Sequence, residues 1–270
     1  MRIGIIGYGS MGKMLLWKFS ESGISKDDLY VSNRTPEKLE EVRDIAILCG
    51  NTEAAECADI VFVCVRPSDL KPVLTEIAPC LKEETLLVTL NGSVPFNLIG
   101  AVTDHKTAKV IPSLTAEINK SQTIVCYNDL VAESDKEILR RLLGVIGEVI
   151  ELPENEVGMG SELVSCMPGF IASIFDVICE SAGKHTKIPR EQIVKMVLNT
   201  VSATGDLLLN KDMTFAQTVE RVATKGGITE EGTKVIYEMF PDAADKLFEK
   251  TLEKRRITAE KAAKQFESVS

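Results

Sequence analysis

Gly7, Gly9 and Gly12 stand in the spacing G-x-G-x-x-G within the opening residues MRIGIIGYGSMGK. Ile3, Ile5 and Ile6 ahead of them form a β-branched run suited to a buried strand. Met11, Leu15, Leu16 and Phe19 behind them recur at helical spacing. A strand that turns into a helix through glycines in this way is the local geometry that holds a dinucleotide pyrophosphate. Gly7 permits the tight turn, Gly9 admits phosphate without a Cβ in the way, and Gly12 lets the helix lie against the strand. The first N–H groups of that helix have no partner within it and favour negative charge, so they supply the anion site. An ordinary structural turn is the plain alternative; the flanking strand and helix patterns favour the nucleotide.

A second group decides which dinucleotide. About twenty residues past the glycines, this kind of fold normally carries an Asp or Glu that bonds the adenosine 2′-hydroxyl of NAD. Ser32, Asn33 and Arg34 stand there instead. A carboxylate would repel a 2′-phosphate and a guanidinium pairs with one, so the sequence favours NADP (as NADPH), with NAD left open. The plain alternative is a solvated arginine beside a turn.

A third group lies far along the chain, at Lys225-Gly226-Gly227-Ile228-Thr229, directly before a helix pattern. Two glycines open the backbone, Thr229 can cap, and the free N–H groups suit a carboxylate. Taken alone, the segment reads first as an ordinary Gly-Gly helix connector, with the anion site as the alternative.

The elements that must position these groups follow from pattern. Apolar runs at 28–32, 45–48, 60–65, 86–90, 108–111, 124–127 and 149–152 alternate with helical stretches, which argues for an α/β fold with a Rossmann-type, doubly wound, largely parallel sheet. The run from Ile60 is nearly continuous, as befits a central strand, and ends at Val65-Arg66-Pro67, where ligands collect in open α/β sheets. Asn51 opens a short helix, where capping is its plain reading. Asn91-Gly92 ends a further strand, and Ile111-Pro112-Ser113 another. From about Pro153 the strand signals stop. Ile171, Ile174, Phe175 and Ile178, then Ile193, Met196, Val197 and Val201, trace apolar helical stripes. Helices at 214–223, 229–239 and from about 243 complete an all-helical second half. The expected division is therefore 1–153, dinucleotide-binding, and 154–270, all-helical, whose apolar stripes suit a dimer or an intramolecular bundle nearly equally.

Composition bounds the function. A 270-residue chain carries a two-domain prior. With 31 basic against 40 acidic residues the net charge is -9, which disfavours nucleic acid and anionic membranes as partners. Seven cysteines, with no C-x-x-C pair, read as small buried hydrophobes in a reducing cytoplasm, so neither disulfides nor a metal site is expected. No signal peptide pattern opens the chain, and no uninterrupted apolar run reaches the about 18 residues needed to cross a bilayer. His105 and His185 sit in polar surroundings, and neither reads as a catalytic base.

Taken in order, these motifs resemble the pyrroline-5-carboxylate reductase family over essentially the whole chain. The resemblance rests on the three glycines, Ser32-Asn33-Arg34, Asn51, Val65-Arg66-Pro67, Asn91-Gly92, Ile111-Pro112, Ile188-Pro189-Arg190-Glu191 and Gly226-Gly227-Ile228-Thr229. It implies a Rossmann-type domain followed by a helical substrate and dimerisation domain at 154–270, and hydride transfer from NAD(P)H to C5 of a cyclic imino acid, giving proline. The implied cofactor-binding set is Gly7, Tyr8, Gly9, Ser10, Met11, Gly12, Ser32, Asn33, Arg34, Asn51, Val65, Arg66, Pro67, Asn91 and Gly92. The implied substrate-binding set is Ser113, Gly226, Gly227, Ile228 and Thr229, with the Thr229 hydroxyl as the catalytic group. A homodimer, or a larger assembly of dimers, is the implied state.

The departures fall on the substrate side. Ile111-Pro112-Ser113-Leu114-Thr115-Ala116 replaces the family's Met-Pro-Asn-Thr-Pro-Ala; Ser165-Cys166-Met167-Pro168-Gly169 replaces Gly-Ser-Gly-Pro-Ala; Thr224-Lys225 replaces Ser-Pro. A reductase-like paralogue encoded beside late-competence genes is similar in its Ile-Pro-Ser loop, which keeps open an altered substrate or a regulatory, non-catalytic role. A β-hydroxyacid dehydrogenase would need a lysine on the interdomain helix, and 157–174 has none. A deazaflavin-linked reductase of NADP shares the N-terminal pattern but lacks the helical half.

Overall fold

The computed structural model describes residues 1–267. The strands Ile3–Ile6 (β1), Leu29–Ser32 (β2), Ile47–Leu48 (β3), Ile60–Val63 (β4), Leu86–Thr89 (β5), Thr107–Ile111 (β6), Ser121–Tyr127 (β7) and Gly147–Glu151 (β8) form one sheet. Their order is β3-β2-β1-β4-β5-β6-β7-β8. Pairing is parallel from β3 through to β6, antiparallel between β6 and β7, and parallel again between β7 and β8. The chain winds outward in one direction from β1 and in the other from β4. The carboxyl ends of those two neighbours are thus a topological switch point, the place where an open α/β sheet forms a crevice.

Side-chain alternation along the strands covers both faces of the sheet. Ile3, Ile5, Ile60, Phe62, Leu86 and Val88 face one layer, built from Leu15, Leu16 and Phe19 of α1 (Ser10–Glu21) and Leu139, Leu142 and Leu143 near the chain's 133–143 helix. Ile6, Val61, Val63 and Leu87 face the other, against Ala54 and Ala55 of α2 (Asn51–Cys57) and Leu70, Leu74 and Ile77 of α3 (Pro67–Ile77). Phe19 and Phe62 meet with ring centroids 5.5 Å apart. The short helix α4 (Phe96–Gly100) and the helix α5 (Glu133–Leu143) complete this part. One cation lies inside it. Lys109 on β6 is buried, its ammonium 4.3 Å from the Phe96 ring centroid and bonded to the Glu154 carboxylate, which also accepts the Phe96 N–H at 2.7 Å. Burial pulls the Lys109 pKa down while Glu154 opposes that shift.

Strands stop at Glu151 and helix follows: α6 (Val157–Ser161), a π-helical stretch Glu162–Cys166, α7 (Met167–Gly183), α8 (Arg190–Asn210), α9 (Phe215–Val222) and α10 (Ile228–Glu267). The chain divides into two compact units. One is Met1–Pro168 with the chain from Leu252 onward; the other is Gly169–Thr251. The end of α10 belongs to the first unit, where Ala262 and Phe266 join the second core layer and the Lys71 ammonium bonds the carbonyls of Gln265 and Phe266.

One sequence expectation changes, and two features add to it. After β2 the chain forms a 3-10 helix, Pro36–Val42. The expected helices 229–239 and from 243 are one 40-residue helix that runs through Pro241. An internal proline removes one N–H and crowds the carbonyl four residues back, which bends a helix without necessarily ending it when the turns on either side hold. Finally, Glu154–Gly183 is by length and composition apolar enough to cross a membrane, with a mean hydropathy of 1.6 and 11% of its most apolar window buried. Its apolar residues are interleaved with Gly, Ser and Glu, so no unbroken run reveals it. The seven cysteines are free thiols, with Cys126 and Cys179 buried.

Candidate functional site

The glycine turn is built as the spacing requires. Gly7 has φ +101°, a left-handed conformation that side chains resist, and a Cβ there would stand 2.8 Å from the Cys64 carbonyl oxygen. A Cβ on Gly12 would stand 2.0 Å from the Gly7 carbonyl oxygen, so this glycine sets how closely α1 approaches β1. Gly9 is different: nothing lies within 4 Å of its would-be Cβ, and it begins α1 without a side-chain cap. The helix amides are consequently left for a ligand.

Asn33 ties this turn to the end of β2. Its Oδ1 accepts the Tyr8 N–H at 3.1 Å, and its Nδ2 donates to the Thr35 carbonyl at 3.0 Å. The Tyr8 side chain is buried, its hydroxyl donating to Glu41 at 3.0 Å and accepting from the Trp17 indole at 3.2 Å. Burial and Glu41 push its pKa up to about 12. Tyr8 therefore meets the turn through its backbone, while its ring serves the core. Ser10 is exposed in the first turn of α1.

A cavity of about 730 Å³ opens at the switch point, and it brings together Gly7, Gly9, Ser32, Asn33, Arg34, Asn51, Val65 and Arg66. The Ser32 hydroxyl bonds the Asn51 side-chain oxygen, and Asn51 Nδ2 donates to Glu76 at 2.8 Å. Asn51 is thus a fixed wall joining β2, α2 and α3. The Arg34 guanidinium has no hydrogen bond or ion pair among the described residues, so it is free for an anion at this rim. Arg66 precedes Pro67, the first residue of α3.

A smaller cavity of about 340 Å³ shares Cys64 and Val65 with the first and is lined also by Met11, Pro67, Asn91, Gly92, Ile111 and Arg255. Asn91 Nδ2 donates to the Val65 carbonyl at 3.1 Å, joining the ends of β4 and β5. A Cβ on Gly92 would crowd Ile111 and Val157 at 3.3 Å. Burial raises the Cys64 thiol to about 12, and burial with Glu162 raises Cys166, so neither thiol supplies a thiolate nucleophile at neutral pH. Ser113 is on neither cavity: it is buried, its N–H donating to the Ser121 hydroxyl at 3.0 Å and its own hydroxyl accepting the Thr115 N–H at 3.4 Å.

The Gly-Gly elbow belongs to the second unit. Gly226 has φ +74°, and a Cβ on Gly227 would meet the Thr224 hydroxyl at 2.6 Å, so both glycines are required by the turn. The Gly227 N–H closes onto the Thr224 carbonyl at 2.8 Å. The Gly226 N–H donates to the Glu230 carboxylate at 2.6 Å. Two amides of the expected anion seat are thus held by the chain itself, Gly226 by the Glu230 carboxylate and Gly227 by the Thr224 carbonyl. Ile228 and Thr229 are exposed at the start of α10.

Two functional candidates escaped the sequence: Arg255, in the wall of the smaller cavity, and Glu162, which it binds. Arg255 is one basic residue in a charged helix, 93 positions from its partner, and gives no local signal. Glu162 gives one, as a lone carboxylate within the apolar stretch 157–171.

The chain matches two family models, "NADP oxidoreductase coenzyme F420-dependent" over residues 2–92 and "Pyrroline-5-carboxylate reductase dimerisation" over residues 154–257. It is 34% identical to pyrroline-5-carboxylate reductase 3 of Bacillus subtilis (strain 168), across 98% of this chain and 99% of that one. It belongs to the pyrroline-5-carboxylate reductase family. Another relative in B. subtilis is ComE operon protein 4, 27% identical over 98% of this chain and 99% of that one. A crystal structure of Plasmodium falciparum pyrroline carboxylate reductase with NADP bound shares the fold, with a TM-score of 0.86 at 21% identity, covering 96% of this chain and 98% of the other. The family's glycines, Asn33 and Asn51 are thus embedded in the first unit's hydrogen bonding. The loop at 111–116 is held by Ser113 in the interior, and Leu114 is exposed.

Proposed function

We propose that this member of the pyrroline-5-carboxylate reductase family reduces 1-pyrroline-5-carboxylate to L-proline with NADPH, as an NADP-dependent oxidoreductase acting on a cyclic imine. The observation that carries the reading is the end-to-end match to a pyrroline-5-carboxylate reductase, joined to a cavity whose rim holds a free Arg34 where NAD sites hold a carboxylate. NADPH when bound supplies the hydride, which adds to C5 of the ring with its electron pair and leaves an amine.

The residues divide this work. Gly7, Gly9, Ser10, Met11 and Gly12 hold the pyrophosphate on backbone N–H groups, and Tyr8 contributes its backbone. Ser32, Asn33 and Arg34 hold the adenosine end, with Asn51 behind them; Val65, Arg66, Pro67, Asn91 and Gly92 line the path toward the smaller cavity. The cavity walls exclude water and orient the ring. An imine captured as its iminium needs no strong acid from the protein, so the Thr229 hydroxyl has only to bond the ring nitrogen. Of the elbow's amides, that of Ile228 is left to serve the carboxylate, since those of Gly226 and Gly227 are held by Glu230 and Thr224, and the loop at Ser113 stands behind the site rather than in either cavity.

Residues 1–153 are assigned to the dinucleotide and 154–270 to substrate binding and dimerisation. The second unit leaves Val177, Leu198, Leu209, Phe215 and Tyr237 exposed, with Leu209 at 84%, and a second copy of the chain would cover them in a homodimer. A reducing, cytoplasmic setting suits seven unpaired thiols.

The test is direct. Purified protein mixed with NADPH and 1-pyrroline-5-carboxylate should consume NADPH absorbance; no consumption while NADPH binds would reject the reading. The second reading, a reductase-like paralogue with an altered substrate or a competence-related regulatory role, is favoured by the similarity to ComE operon protein 4 and by Thr115, Met167 and Lys225. It expects NADPH binding without turnover, and turnover on restoring the family residues at 113–115 and 165–169.

Two further outcomes are expected. Arg34→Ala should raise the KM for NADPH about tenfold and leave that for NADH within about threefold, because only NADPH carries the 2′-phosphate. Initial rates with both cofactors check this, and equal shifts would place Arg34 away from the phosphate. Glu230→Ala frees the Gly226 amide from a charged acceptor, so the KM for the imine should fall about tenfold with kcat unchanged, as release of a charge-assisted hydrogen bond implies. A rise in KM would show that Glu230 supports the elbow and does not compete for it.

A further inference from the structure

Glu162 opens the π-helical stretch and is 2% exposed. Arg255 donates to it from Nε at 3.1 Å and from Nη2 at 2.8 Å, both to the same oxygen, Oε1. The other oxygen, Oε2, is buried without a hydrogen-bond donor. Both residues belong to the first compact unit.

This pair is a poor device for stability. A buried carboxylate satisfied on one side retains most of its desolvation penalty, and apolar residues of like volume would serve the fold as well or better. It is, however, an effective mount for a cation. A guanidinium presents its N–H groups in a flat fork; here the Nε edge is spent on Glu162, and the Cys166 thiol is the other group Arg255 bonds, while Nη1 has no oxygen or nitrogen partner among the described residues. Arg255 lines the smaller cavity beside Gly92, Ile111 and Ser165, and it is the charged residue of that wall among the described residues. The rest of the lining is apolar, hydroxyl, thiol or amide. In a protein of net charge -9 the overall field repels an anion, so an anionic ligand depends on such a local cation. The elbow offers less than its two glycines promise, since Glu230 already holds the Gly226 amide.

We infer that Arg255 is a specificity-determining residue whose guanidinium recognises the carboxylate of a five-membered ring ligand in the smaller cavity, with Glu162 as the positioning residue that fixes it. The identity of that ligand as the imine substrate rests on the reductase reading above; the mounted cation at the cavity wall does not.

The test measures binding and turnover separately on the NADPH-saturated protein. Calorimetry with tetrahydro-2-furoate, a ring carboxylate lacking the imine, and with tetrahydrofurfuryl alcohol, its uncharged counterpart, reads the binding. Arg255→Gln should weaken the carboxylate about 30-fold and the alcohol less than about threefold, as loss of a charge-assisted bond implies. Arg255→Lys, which keeps the charge and safeguards folding, should weaken the carboxylate about fivefold, because an ammonium lacks the planar fork. Glu162→Gln, which loosens the mount, should fall between the two variants. For 1-pyrroline-5-carboxylate against uncharged 1-pyrroline, Arg255→Gln should raise KM for the first alone. Parallel weakening of acid and alcohol, undiminished carboxylate binding in Arg255→Gln, or no carboxylate binding by the parent would each overturn the inference. Arg255-dependent binding of the furoate with no turnover by the parent would instead reject the reductase reading and leave this one standing.

Discussion

Gly9→Ala should fold as stably as the parent and lose about 30-fold in NADPH affinity, an overpacking strain of about 2 kcal/mol expressed only in the complex. The two neighbouring glycines cannot give so clean a result. At Gly12 a Cβ would meet the Gly7 carbonyl oxygen at 2.0 Å, and at Gly7 the φ of +101° itself resists a side chain, so either substitution damages fold and binding together. Gly9 has open space around its missing Cβ in the protein itself. Among the described residues an alanine there strikes nothing, so its effect falls on a ligand lying on the first turn of α1. Thermal unfolding and fluorescence titration with NADPH separate the two effects. A melting temperature that falls with the affinity would give Gly9 a structural role, and unchanged affinity would remove the phosphate from this turn.

The second large effect belongs to the elbow. Thr229→Ala should lower kcat by roughly tenfold to 150-fold while NADPH affinity stays within about twofold, because one hydrogen bond to a partly charged nitrogen is worth about 1.5–3 kcal/mol. Thr229 is exposed at the start of a helix, so its hydroxyl supports no core and its removal leaves packing alone. Thr229→Ser should restore most of the rate, as the hydroxyl is what matters. Loss of rate and of NADPH affinity in equal measure would show that the turn serves the cofactor or the fold.

The first half of the chain was readable from sequence because its signals are local. A strand such as Ile3–Ile6 must alternate between two apolar layers, and three glycines at fixed spacing have few other uses before a helix. Asn33 was legible as a site residue, but its mode of action was not: the turn and the β2 end are 25 residues apart, and only the folded chain reveals that its amide clips them together. For Tyr8 likewise, a position between glycines says nothing of where the ring points, and the fold turns it to Glu41 and Trp17. In the second half, helical period fixed the helices but not their ends, and the gap expected between 239 and 243 is closed by one helix that runs through Pro241. Arg255 and Glu162 were invisible as a pair because nothing in a charged helix distinguishes the arginine that turns inward from its solvated neighbour Arg256.

The account rests on transfer of a hydride from NADPH to a ring carbon, and isotope labelling reads that transfer directly. Incubating the purified protein with 1-pyrroline-5-carboxylate and NADPH deuterated at the transferred position of C4, then weighing the product by mass spectrometry, should give proline one mass unit heavier, with the deuterium at C5, in amount equal to the cofactor oxidised. Unlabelled proline, or cofactor held without any proline formed, would contradict it.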